Sequence, residues 1–170
     1  YMSDPYKVFD NRPDRRSHTM TLRWNHHLDK FDATSRFSYR YYGDDWSIKS
    51  HTFGLEYVQN FSDGWSVTPL LRLYSQSAAK FYIDAGPYGF PFPPNPPEGA
   101  IYFSEDQRLS AYGAHTVGFK ITKNLGDDWV VDFKYEKYEQ RSNWRLFGDG
   151  SPGLLPFSAR SFQVGLARSF

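Results

Sequence analysis

Seven stretches of the chain alternate apolar and polar residues with a period of two. In the first stretch, His18, Met20, Leu22 and Trp24 occupy even positions, and mostly small polar residues occupy the odd positions. Successive side chains of a β-strand point to opposite faces of a sheet, so this period predicts strands with one apolar and one polar face. Pro69 is an exception inside the fourth strand, because a paired strand needs the N–H that proline lacks. The predicted strands cover residues 17–28, 33–42, 49–61, 65–78, 111–123, 129–140 and 157–170.

The connections between these strands alternate in predicted length. Short turns are predicted at residues 29–32, 62–64 and 124–128, and longer loops at residues 42–46, 80–110 and 141–156. Bacterial outer-membrane barrels have short periplasmic turns and longer extracellular loops. The alternation therefore predicts an all-β fold, an antiparallel transmembrane β-barrel. Residues 1–16 are then the remnant of an extracellular loop, and residues 80–110 are a long Pro-rich extracellular loop.

Composition agrees with a membrane-spanning sheet better than with a soluble core. Aromatic residues make up 19% of the chain, yet the mean hydropathy is −0.67. A transmembrane barrel reconciles these values, since lipid-facing apolar residues alternate with polar lumen residues. A net charge of +1 gives no reason to expect nucleic-acid binding. The chain lacks cysteine, which excludes disulfides and thiolate chemistry, and it contains no apolar stretch of about 18 residues that would predict a transmembrane helix.

The strand count predicts that the barrel is incomplete within residues 1–170. Single-chain bacterial barrels usually have an even number of strands, whereas seven are predicted here. No signal peptide opens the sequence. We therefore expect this chain to be the C-terminal part of a larger barrel, with further strands upstream.

The last predicted strand resembles the C-terminal signal that the outer-membrane assembly machinery reads. That signal has a polar residue, a glycine two positions later, alternating apolar residues and a terminal aromatic residue. Gln163, Gly165, Leu166 and Phe170 fit the pattern, whereas Arg168 stands where an apolar or aromatic residue is usual. The resemblance implies the assembly machinery as a partner of this strand.

Several short motifs are similar to those of a family of outer-membrane proteins catalogued as a domain of unknown function, the DUF3570 family. They lie mostly in the first half of the chain, at residues 2–7, 11–14, 38–46, 50–52 and 74–79. The resemblance implies an outer-membrane location and a barrel fold, in proteins about twice as long as this chain. It implies no catalytic residues.

Charged residues recur on the polar side of the predicted strands. In a barrel, that side would line the lumen. Six bases facing three acids would give a mildly anion-selective lining, or the interior of a barrel that holds a plug or a partner. The alternative is that these charges are merely hydrated or paired, as in any polar lumen. The predicted lumen-lining residues are Arg23, Arg36, Arg40, Glu56, Arg72, Lys120, Asp132, Lys134 and Glu136.

Histidine and serine side chains do not combine into a catalytic or metal site by their spacing. His26 and His27 are neighbours in one strand and therefore point to opposite faces, and the same holds for Ser50 and His51. We therefore predict no enzyme activity, no metal ligands and no cofactor. Three alternatives stay open for residues 88–92 of the long loop: folding into the lumen, docking on a partner, or exposure at the surface. Their apolar rings make full solvation unfavourable.

These patterns together predict an integral protein of the bacterial outer membrane. It would act as a porin-like channel or as a scaffold for envelope partners. Outer-membrane lipid and the assembly machinery are the expected partners, with periplasmic or surface proteins as further ones. Two alternatives from other classes are a soluble β-sandwich binding module and an outer-membrane barrel enzyme.

Overall fold

The computed structural model describes residues 10–84, 99–126 and 128–168, and it consists of β-strands joined by turns and short 3-10 segments. Residues 88–92 of the predicted long loop and Phe170 of the predicted assembly signal lie outside these described ranges. No α-helix occurs within the ranges. The strands are β1 (Asp10–Asn11), β2 (Ser17–Leu28), β3 (Ala33–Asp44), β4 (Lys49–Asn60), β5 (Trp65–Gln76), β6 (Phe103–Ser104), β7 (Tyr112–Leu125), β8 (Trp129–Arg141) and β9 (Phe157–Arg168).

Seven of these strands form one antiparallel sheet in the order β2-β3-β4-β5-β7-β8-β9, and β1 pairs with β6 in a separate ribbon. The predictions of an all-β fold and of antiparallel pairing are therefore confirmed. The large sheet is open, because β2 and β9 each have one neighbouring strand among the described residues. Closure into a barrel stays a prediction.

The register of the sheet places apolar residues opposite apolar residues, and polar residues opposite polar ones, from strand to strand. Phe37 on β3 lies opposite Leu55 on β4, which lies opposite Leu71 on β5, and Leu71 lies opposite Val117 on β7. The adjacent row on the other side runs through polar and small residues. Side chains of one row point to the same side of the sheet, so this register separates a mostly apolar face from a polar face. The apolar row ends at β7, because Val117 lies opposite Lys137 on β8 and Lys137 lies opposite Arg160 on β9. The polar row contains Arg23, Ser38, Gly54, Arg72 and Thr116.

Large apolar side chains remain uncovered over most of the apolar face. Trp24 is 57% exposed, Leu55 50% and Phe162 67%. A β-sandwich would need a second sheet packed across such a face. The only other sheet within the described ranges is the two-residue ribbon of β1 and β6, which gives no support to the sandwich alternative.

The strands end at two different edges of the sheet. One edge, the short-turn edge, carries the turns at residues 29–32 and 61–64 and the short connection from β7 to β8. The opposite edge, the long-connection edge, carries the connections at residues 45–48, 77–111 and 142–156. The prediction that every connection at this second edge is long was wrong for residues 45–48.

Asp44 explains that error. Its Oδ1 atom accepts hydrogen bonds from the backbone N–H groups of Trp46 (3.0 Å) and Ile48 (2.9 Å), and Ser47 adopts a positive φ of 69°. Side-chain acceptors of this kind stabilise tight turns. As a result, the predicted loop at residues 42–46 is shortened, and Tyr42, Gly43 and Asp44 continue β3.

The most buried apolar cluster lies among the connections at the long-connection edge rather than between two layers. Trp46 and Ile48 pack there with Ala79, Phe81 and Leu109, with Tyr42 and Tyr82 against them. Trp46 is only 7% exposed in this cluster. No helix in the described part of the chain is long and apolar enough to cross a membrane.

Pro69 occupies β5 without breaking the sheet. It lies opposite Phe119 of β7 in continuous register. Between β5 and β4, the paired positions stop at Glu56–Leu70 and begin again at Gln59–Val67. Residues 57 and 58 of β4 therefore have no paired position beside Pro69. The missing proline N–H is thereby accommodated at a local gap in one ladder.

Candidate functional site

The register brings all the predicted lumen-lining charges to the polar face of the sheet. Arg36 lies opposite Glu56, Gly54 lies opposite Arg72, and Lys120 lies opposite Lys134. Their sharing of one face follows from the period of two and from continuous register across seven strands. That this face lines a lumen stays a prediction.

Three of the six bases on this face are paired with acids. Salt bridges join Arg36 to Glu56 (3.7 Å), Lys120 to Asp132 (3.8 Å) and Lys134 to Glu136 (3.0 Å). The other three bases make no salt bridge within the described residues. They are Arg23, Arg40 and Arg72.

Three depressions follow one another along the polar face. The first, of about 330 Å³, is bordered by Arg23, Arg36 and Arg72 over a floor of small residues. Its floor includes Gly54, where a Cβ atom would lie 2.5 Å from Ser38 Oγ, so a larger residue would displace that hydroxyl. A second depression of about 460 Å³ lies nearer the short-turn edge, among the paired lysines and acids.

The third depression, of about 410 Å³, lies at the long-connection edge, where chain segments outside the sheet meet the polar face. Arg12 and Arg108 border it from those segments, and Arg40 borders it from β3. Gln76 at the end of β5 ties the segments to the sheet, because its Nε2 atom donates to the backbone oxygens of Arg108 (2.9 Å) and Ser110 (2.6 Å).

Ion pairs organise the arginines around this third depression. Arg12 binds both Asp10 (2.6 Å) and Asp106 (2.8 Å), and Arg108 also binds Asp106 (2.6 Å). The hydrogen bonds from Arg108 hold the pKa of the Asp106 carboxyl well below its usual range, and Arg12 contributes further. The salt bridge from Arg12 to Asp106 thus connects the described segments at residues 10–16 and 99–110.

Arg15 is attached on the other side of the same depression. Its guanidinium lies 2.7 Å from the Asp44 carboxylate and 4.4 Å from the centre of the Trp46 ring. Sequence reasoning did not identify Arg12, Arg15, Asp106 or Arg108 as part of a site. They lie outside the alternating strands, and the Arg12–Asp106 contact joins residues 94 positions apart, so no local pattern reports it.

Aromatic residues border the apolar face at the short-turn edge. Phe31, Phe61, Trp65 and Trp129 are between 39% and 58% exposed there. The Arg168 guanidinium lies 5.3 Å from the centre of the Trp129 ring, a cation–π distance. Arg168, which departs from the expected assembly signal, therefore has a local role in packing against this aromatic border.

Of the predicted assembly signal, the structure describes Gln163, Gly165 and Leu166 within β9. Leu166 lies opposite Val131 on the apolar face and is 67% exposed, whereas Gln163 and Gly165 belong to the polar face. A Cβ atom at Gly165 would lie 2.0 Å from Asp132 Oδ2. The glycine thus leaves room for the carboxylate that pairs with Lys120.

Histidines near the long-connection edge contact rings and hydroxyls. The His51 ring accepts from or donates to the Tyr39 hydroxyl at 2.8 Å, and the His115 ring lies 4.3 Å from that of Trp144. Ser50 is buried at the polar face beside the third depression, while His51 shares the opposite face with Tyr41. Within the described ranges, no three histidine, aspartate or glutamate side chains group as metal ligands.

Comparison with known proteins gives one match. A family model described as "Protein of unknown function (DUF3570)" matches residues 2–161. No curated protein and no solved structure matches the chain.

Proposed function

We propose that this chain, which belongs to the DUF3570 family of proteins of unknown function, forms part of the wall of an outer-membrane β-barrel whose polar face lines a water-filled channel. The observation that carries the proposal is the separation of the two faces across all seven strands of one sheet. In this arrangement, the apolar face contacts lipid and the charged face contacts water.

The apolar face supports a lipid environment through its extent. Directly paired residues on four neighbouring strands, Phe37, Leu55, Leu71 and Val117, form an unbroken apolar row. The largest apolar patch of an ordinary soluble monomer covers roughly 300–600 Å². Larger apolar patches mark surfaces that a membrane or a partner covers, and hydrocarbon tails would cover this face.

The ends of the strands fit the same environment. Half-exposed rings of Phe61, Trp65 and Trp129 border the apolar face at the short-turn edge. Aromatic rings gain stability at headgroup depth, which makes such girdles typical of outer-membrane barrels. We assign this edge to the periplasm and the long-connection edge to the cell exterior.

The open edges at β2 and β9 require further strands in a membrane. An unpaired N–H or C=O group in hydrocarbon costs several kcal/mol, so a barrel wall must close. We therefore propose that additional strands of the complete protein join β2 to β9. The assembly machinery would recognise β9, and periplasmic or surface proteins are further proposed partners.

Cell fractionation and planar bilayers test the proposal in two steps. The full-length protein should remain in outer membranes after alkaline carbonate washing and require detergent for release. Release by carbonate alone would refute the barrel. In planar bilayers, the purified protein should give steady ion conductance. A membrane-embedded protein that stays silent would refute the channel and favour the scaffold function.

A further inference from the structure

We propose that the channel prefers small anions, and that Arg23, Arg40 and Arg72 on the polar face supply this preference. The inference rests on the proposed channel function and adds its substrate class. Paired and unpaired charges are distributed unevenly along the polar face.

Toward the short-turn edge, the charges of the polar face compensate one another. Lys120 pairs with Asp132, and Lys134 pairs with Glu136. Each pair has no net charge, so this part of the face attracts cations and anions about equally. A selective field must therefore arise elsewhere along the face.

Toward the long-connection edge, the balance is positive. Arg23, Arg40 and Arg72 have no salt-bridge partner within the described ranges. Around the third depression, which Arg40 borders, the arginines outside the sheet are compensated: Arg12, Arg15 and Arg108 stand against Asp10, Asp44 and Asp106. Beside these compensated pairs, the three unpaired arginines of the sheet contribute a charge of +3 to the polar face.

The sheet also provides space for an ion beside these charges. Arg23 and Arg72 belong to one row and are separated only by Ser38 and Gly54, which carry small or no side chains. Both arginines border the depression of about 330 Å³ above these small residues, and the pair of Arg36 and Glu56, which has no net charge, borders it as well. A hydrated anion at this position would have guanidinium donors on two sides and a hydroxyl beneath it.

Arg40 extends this positive field toward the long-connection edge. It borders the depression of about 410 Å³, next to Arg12 and Arg108. An anion that enters from this edge would meet Arg40 before it reaches the row of Arg23 and Arg72. Rings of arginine or lysine produce anion selectivity in other pores, and the three residues form such a track along one wall.

Measurement of the reversal potential in a potassium chloride gradient tests this proposal with the full-length protein in planar bilayers. We expect the wild-type channel to favour chloride over potassium. Coulomb's law for one charge at about 7 Å in a water-like medium changes the local concentration of each ion about threefold, upward for chloride and downward for potassium. The chloride-to-potassium preference should therefore change on the order of sevenfold per charge at low salt. Replacement of Arg23, Arg40 or Arg72 by glutamine should each reduce the chloride preference by about that factor.

Two control variants separate this effect from a general change in charge or structure. The Lys120→Gln/Asp132→Asn double variant removes a compensated pair from the same face, so it should leave the ion preference unchanged. Arg160→Gln removes a base from the apolar side, because Arg160 lies opposite Lys137 and outside the polar rows. It should likewise leave the preference unchanged.

The possible failures of the two proposals differ. An open channel without chloride preference, or glutamine variants that keep the wild-type preference, would refute the selectivity and leave the channel intact. A protein that embeds in bilayers but conducts no ions would refute the channel and, with it, the selectivity. Electrophoresis without heating checks that each variant retains the folded form.

Discussion

Phe162 and Ser161 are neighbours on β9 that test which face of the sheet contacts lipid. Phe162 lies opposite Tyr135, with the two rings 5.0 Å apart, and Ser161 lies opposite Glu136 on the polar face. Both residues sit at the same depth on the same strand. Replacing each in turn by arginine therefore places the new charge at one depth but on opposite faces.

The depth of Phe162 sets the expected cost. Its partner Tyr135 is six residues along β8 from Trp129 at the short-turn edge, which is about 20 Å along the strand and about 15 Å along the membrane normal at a typical tilt. Because the apolar band of a barrel is about 25 Å tall, this position lies near its middle, where arginine costs about 2–4 kcal/mol. Loss of the aromatic contact adds about 0.5–1.5 kcal/mol.

The assay is reversible guanidinium unfolding of the full-length protein in lipid vesicles. We expect Phe162→Arg to lower the free energy of unfolding by about 3 kcal/mol or more. Ser161→Arg should stay within about 0.5 kcal/mol of the wild type, since the carboxylate of Glu136 lies opposite the new base. Phe162→Gln isolates the loss of the ring from the gain of charge. Equal effects of the two arginine variants would refute the assignment of faces.

The connections at the long-connection edge give three further predictions. Gly113→Ala should cost about 1–3 kcal/mol by overpacking, because the new Cβ would lie 1.9 Å from the backbone oxygen of Trp144. Gly54→Ala meets only the Ser38 hydroxyl and should cost less stability in the same unfolding assay. A larger cost for Gly54→Ala than for Gly113→Ala would contradict the geometry. Gln76→Leu removes the hydrogen bonds to the backbone oxygens of Arg108 and Ser110. We therefore expect the free energy of unfolding to fall by about 1–3 kcal/mol and trypsin to cleave faster after Arg108. Unchanged cleavage would show that other contacts hold this segment. Because the folded pKa of Asp106 is lowered, its contribution to stability is present above the unfolded pKa of about 3.9 and is lost as the pH falls below it. Pepsin should therefore cut residues 99–110 faster as the pH decreases through this range, and Asp106→Asn should remove this dependence. A flat pH profile in the wild type would refute the role of the carboxylate.

The strands were predictable because alternation is a local property of the sequence. The bounds predicted for the first strand, residues 17–28, are those of β2, and the faces predicted for Leu55 and Glu56 follow from the same period. Neither prediction needs knowledge of distant residues. The alternation also predicted which residues share a face, because a one-residue slip would move every side chain of a strand to the other face.

Contacts between distant residues were not predictable in this way. The tight turn after β3 depends on the carboxylate of Asp44, and the pairing of Arg12 with Asp106 joins two irregular segments. The separation of the polar-face bases into paired and unpaired groups also required the register, because Arg36 and Arg40 look alike in the sequence. Only the structure shows that Arg36 lies opposite Glu56 while Arg40 lies opposite Thr52.

Site-directed cysteine labelling tests the central claim, that one face contacts lipid and the other water. The chain has no cysteine of its own, so single cysteines placed along β8 from Val131 to Glu136 report one position at a time. In native outer membranes, a water-soluble thiol reagent that passes through pores should label positions 132, 134 and 136, and a lipid-dissolved reagent should label positions 131, 133 and 135. Labelling of all six positions by the water-soluble reagent, without alternation, would contradict the account.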